Sequence, residues 1–158
     1  MAPTLQGSEV AGEPGDTVIV CKTSYLLSAP NRWDVVAIRR EEGGVTEKVA
    51  VDMVKRVVGL PNEHLEIRDG VVLVNGERLE APGDLGDLRY LRRGPFGNRS
   101  VHMGPREYFV LGDNSYSSRD SREWGPLARG HIFGKVVAIV HPWERARWLS
   151  SVEAFETD

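Results

Sequence analysis

The chain has 158 residues, 41% of them hydrophobic and 27% charged, with a net charge of −3. That suffices for one domain with its own core, and it excludes both a disordered chain and the strongly basic balance of a nucleic-acid-binding one. Cys21 is the single cysteine, so no internal disulfide can form, and no apolar run approaches the about 18 residues that span a bilayer.

Taken in chain order, short segments rich in Val and Ile and bounded by Gly, Pro, Asn and Asp predict strands. They cover residues 17–22, 34–39, 48–58, 64–68, 71–75, 108–111 and 134–140. Asn75-Gly76 marks a tight turn after the fifth of them. Residues 80–106 hold many Gly, Pro and Arg and little periodicity, which predicts an irregular excursion or flap carrying Leu88, Tyr90 and Leu91. Its basic cluster, Arg89, Arg92 and Arg93, reads as a solvated loop. The tail from Glu144 to Phe155 predicts one short helix with Trp148 and Leu149 turned inward. The class is all-β, in one domain over residues 1–158. His64, His102, His131 and His141 are scattered without metal-ligand spacing, and there is no phosphate loop, so neither metal nor cofactor is expected.

Two stretches carry chemistry. In KVAVDMVKRVVGLP (48–61), strand alternation places Lys55 on one face with Val49, Val51, Met53 and Val57. An amine there loses hydration, which lowers its pKa and lets it serve as a general base. The competing reading is that Lys55 runs its stem along the apolar face and keeps its ammonium in water. In GDNSYSSRDSREWGP (112–126), the strand ending at Leu111 delivers hydroxyls, carboxylates and guanidiniums to one loop. Here the competing reading is a solvated turn that bonds its own backbone.

Together these stretches resemble one family, the type I signal peptidases. KRVVGLP is similar to their lysine box and GDNSYSSRDSREWGP to their later box, GDN-x-x-x-S-x-D-S-R-x-W-G. Met1-Ala2-Pro3-Thr4-Leu5 is similar to the remainder of their nucleophile box. Gly15-Asp16-Thr17-Val18 with Lys22 and Tyr25, Arg32-Trp33-Asp34-Val35-Val36, and Val74-Asn75-Gly76 match in order between them. Asn62, and Ser115 where the family often has Arg, depart from the pattern.

The resemblance implies coiled antiparallel sheets and a Ser-Lys endopeptidase that removes signal peptides from secreted preproteins after small residues, as in Ala-x-Ala. Lys55 matches the general base and Ser118 its hydrogen-bond partner. Asp113, Asp120 and Arg122 match residues that brace the loop. Met1, Leu5, Asp52, Met53 and Val54 flank the catalytic positions and are expected to bind substrate. In the family the nucleophilic serine immediately precedes the Met of the first box, so here it would stand just ahead of Met1. The expectation is a chain truncated just after that serine, inactive without it. The family's upstream anchor would hold the catalytic domain at the outer side of the cytoplasmic membrane. Two other readings stay open at this point: a self-cleaving repressor-type Ser-Lys peptidase, and a non-catalytic paralogue that keeps a peptide-binding groove.

Overall fold

The computed structural model describes residues 4–5, 15–43, 47–85 and 89–149. Eleven strands are found among them: β1 (Thr17–Cys21), β2 (Val35–Gly43), β3 (Lys48–Gly59), β4 (His64–Arg68), β5 (Val71–Val74), β6 (Glu77–Arg78), β7 (Val101–His102), β8 (Glu107–Leu111), β9 (Leu127–Ala128), β10 (Ile132–His141) and β11 (Arg147–Trp148). Two single-turn helices, α1 (Gly94–Gly97) and α2 (Ser121–Trp124), interrupt them.

The strands form two antiparallel sheets. The larger runs β1-β10-β2-β3-β8-β9, with β11 also on β10; the smaller runs β6-β5-β4-β7. β10 is long enough to serve three partners. Lys135 pairs with both Cys21 and Val36, so β1 and β2 lie on opposite sides of it, and β11 continues the β2 side. Connections are short hairpins where the sequence offers them: Asn75 (φ 53°) and Gly76 (φ 88°) adopt the left-handed turn predicted for that pair.

Strand alternation sorts the core. On β2, Val36 and Ile38 face one cluster with Val57, Tyr108 and Val110, while Val35 and Ala37 face another with Leu5, Val136 and Ile139. A third cluster joins the sheets, setting Val58, Phe109 and Leu111 against Leu65, Ile67, Val72 and Val74. Each such side chain contributes about 1.5–3 kcal/mol on burial.

The segment 80–106 is stitched into this core at Tyr90, Val101 and Met103, and β7 extends the smaller sheet. Leu91 stays 43% exposed. Leu88 lies outside the described residues.

At the tail, the expected helix gives way to one 3₁₀ turn (Trp143–Arg145) and β11. The backbone finds a ready partner in β10, with Ala138 opposite Trp148 and the Leu149 N–H bonding the Val137 carbonyl. Alternation then turns Leu149 onto the core and leaves Trp148 77% exposed, correcting the inward placement of Trp148. Residues 150–158 lie outside the described residues.

Candidate active site

The loop after β8 is held by a buried ionic network. Asp120 and Arg122 are both fully buried and form a two-point ion pair, Nε to Oδ1 at 2.8 Å and Nη2 to Oδ2 at 2.7 Å. Asp120 also caps α2 by accepting from the Arg122 backbone N–H, and it accepts from Gly112 N at 3.1 Å. The remaining guanidinium nitrogen of Arg122 donates to Ser115 Oγ and to the carbonyls of Ser115 and Leu91. Every charge taken out of water therefore meets an opposite charge or a fixed dipole, the condition under which a buried pair is tolerated.

The excursion supplies the other wall. Leu91 N donates to Ser115 Oγ (2.6 Å), and Arg93 bonds the Tyr116 carbonyl and Glu123. Gly94 sits at φ 66°, and a Cβ there would lie 2.4 Å from the Arg122 carbonyl oxygen. The close approach and the left-handed backbone both demand glycine at that position.

β3 threads this network. Arg56 and Asp113 pair through two hydrogen bonds of 2.9 Å, both residues being buried, and Arg56 donates further to the Trp33 carbonyl and to Thr4 Oγ1. Lys55, its neighbour, points to the opposite face, with Val36 directly across on β2. Its Nζ lies 3.2 Å from Ser118 Oγ. Gly112 forms the floor under that contact: a Cβ there would fall 2.0 Å from Ser118 Oγ and 3.6 Å from Lys55 Nζ. An amine and a hydroxyl are thus brought together on an apolar sheet face at the end of a braced loop. Nearby, Tyr90 is buried close to Asp113, and both burial and that carboxylate push its phenol pKa up.

The family described as Signal peptidase, peptidase S26 matches residues 1–143. The chain belongs to that family. It is 33% identical over 148 residues to a signal peptidase I of Leptolyngbya laminosa, covering 92% of this chain and 66% of the relative. It is 31% identical over 144 residues to a probable signal peptidase I-2 of Synechocystis, covering 90% and 59%. The chain therefore spans less than two thirds of the length of either relative. The crystal structure of a signal peptidase I from Enterococcus faecalis V583 superimposes with a TM-score of 0.50 at 26% identity, over 68% of this chain and 97% of that one.

Within this signal peptidase fold, the expected site residues fall into two groups. Lys55 and Ser118 meet on one face of β3, while Asp113, paired with Arg56 on the other face, and the Asp120–Arg122 pair brace the loop that carries Ser118. The described positions among those expected to bind substrate do not form one surface. Met53 and Val54 lie on opposite faces of β3, Leu5 and Val54 pack with the Val136 cluster, and Asp52 is exposed. Two hydrogen bonds from Arg39 hold Asp52 in place and lower its carboxyl pKa. Met1 lies outside the described residues.

Sequence reasoning passed over Arg56, Ser115 and Gly112 as parts of the site. Arg56 stands on the face opposite Lys55, and only the fold puts Asp113 in front of it. Ser115 departs from the family pattern, yet here its hydroxyl accepts from both Leu91 N and Arg122. Among the described residues, no group of three or more His, Cys, Asp or Glu side chains could hold a metal, and no helix is long and apolar enough to cross a membrane.

Proposed function

We propose that this chain is the catalytic domain of a Ser-Lys endopeptidase that removes signal peptides from preproteins. The observation that carries the reading is the 3.2 Å contact between Lys55 Nζ and Ser118 Oγ over Gly112. Ser118 positions the amine through that contact, and general-base catalysis uses the amine in its neutral form. The nucleophile is the serine that the family pattern puts directly ahead of Met1. Thr4, bonded to Arg56 one residue from Lys55, supports that placement. Four residues of extended chain reach no more than about 14 Å.

In this mechanism Lys55 takes the serine's proton as its oxygen attacks the scissile carbonyl, then gives that proton to the departing amine. Water, deprotonated by the same lysine, hydrolyses the acyl-serine ester. Asp113, Asp120 and Arg122 keep the loop in place and make no bonds to substrate. The substrate is an extended peptide with small residues at the last and third-last positions before the cut, laid along a strand edge. An anchor upstream of the nucleophile holds the domain at the outer side of the cytoplasmic membrane.

The test is to add a Ser-Gly-Ser segment before Met1 and incubate the protein with Ala-x-Ala peptides and with matched peptides carrying bulky residues at both positions. Cleavage confined to the first set, located by mass spectrometry directly after the final Ala, is the expected result. A folded but inert extended protein, or equal cutting of both sets, contradicts the reading.

A further inference from the structure

His64 and His102 are 38 positions apart in a sequence that gives no metal-ligand spacing, yet the topology sets them directly opposite each other across β4 and β7. The kind of pairing matters. Met103 N donates to the Glu63 carbonyl, so Glu63 and Met103 make the hydrogen-bonded pair of this ladder. His64 and His102, one step along, are therefore the non-hydrogen-bonded pair, in which opposing side chains approach most closely, with Cβ atoms about 4.5–5.5 Å apart.

Both side chains stand on the outer face. Their neighbours Leu65, Val101 and Met103 are buried in the cluster between the sheets, while both histidines are exposed. The backbone beneath them is fixed. Asn75 bonds His64 through both its side chain and its backbone, Oδ1 accepting from His64 N and N donating to the His64 carbonyl. Glu66 follows on the same face of β4, but Arg68 holds its carboxylate (2.9 Å).

We propose that His64 and His102 form a two-imidazole chelate for a divalent transition metal ion of the class that prefers nitrogen ligands, such as Cu²⁺, Ni²⁺ or Zn²⁺. Metal–imidazole bonds of about 2.0–2.1 Å from each ring fit between side chains at this cross-strand spacing. Water completes the coordination. The bound ion clips β7, the edge strand of the smaller sheet, to β4, and so stabilises the native state by mass action.

The test uses the chain as it stands, titrated calorimetrically with CuCl₂, NiCl₂ and ZnCl₂ and melted thermally with and without each salt. Binding of one ion is expected, tightest for Cu²⁺, with a rise in melting temperature that EDTA reverses. His64→Asn and His102→Asn should each weaken binding by about 100-fold, because either change turns a chelate into a single-ligand site. His141→Asn, on β10, should leave it unchanged. Both positions are exposed, so metal-free melts of the variants should match the parent. Wild-type affinity in either single variant, or the same loss in His141→Asn, overturns the proposal.

Discussion

The two halves of β3 make a natural comparison. Its outer half, with the facing part of β2, carries ion pairs that stand in water: Arg39 with Asp52 (side chains 63% and 49% exposed) and Lys48 with Glu41 (69% and 67%). Its inner half carries Lys55 and Arg56, and the Arg56–Asp113 pair is only 5% and 0% exposed. The chemistry of the pairs is alike, and the dielectric around them is not. Solvent screens the outer pairs to almost nothing, whereas the inner pair must be complete or it becomes an uncompensated buried charge. The same strand is therefore tolerant at one end and unforgiving at the other, and the proposed base sits at the unforgiving end.

The largest expected effect comes from breaking the inner pair. Arg56→Met strands the Asp113 carboxylate and leaves Thr4 without its donor, and should cost about 3–5 kcal/mol in a denaturant melt. Gly112→Ala comes next. The added methyl collides with Ser118 Oγ, so something must shift, at a cost of about 1–3 kcal/mol. Activity in the serine-extended protein should fall further than stability does, because the shift moves Ser118 away from Lys55.

Alkaline pH probes the same inner region. Tyr25 donates to Asp34 (2.8 Å), and its burial and that carboxylate both raise its pKa. Below about pH 10 both folded and unfolded chains keep the proton. Above it the unfolded chain releases a proton that the native one retains, so stability should decline as pH rises. Tyr25→Phe should flatten that decline in melts between pH 9 and 11; an unchanged slope would assign it to other groups. The smallest effect belongs to the outer half: Asp52→Asn should leave the melt within experimental error of the parent, since Arg39 returns to water.

Parts of this contrast were legible in the sequence. Alternation through 48–58 marked Lys55 as an amine on an apolar face, and the family boxes named Ser118, Asp113, Asp120 and Arg122. The seven strands rich in Val and Ile stand in the fold with ends shifted by a few residues. β2 ran four residues past its expected end because Arg40 to Gly43 pair with 48–51 across the hairpin, a contact that charged residues conceal from a hydrophobic pattern. β6, β7, β9 and β11 have two residues each, too short for any periodicity to show, and exist because a neighbouring strand offers an edge. Arg56 and the His64–His102 pair were invisible for one shared reason. Their partners lie tens of residues away, at Asp113 and across β7, and only the register brings them together.

In the proposed mechanism Lys55, positioned by Ser118, activates a serine placed just ahead of Met1. The most direct measurement is kcat/KM of the serine-extended protein on an Ala-x-Ala peptide, set beside its Lys55→Ala and Ser118→Ala variants, with folding checked by circular dichroism. Lys55→Ala is expected to abolish turnover, and Ser118→Ala to lower it while leaving measurable activity. Turnover that survives Lys55→Ala in a correctly folded protein would contradict the mechanism.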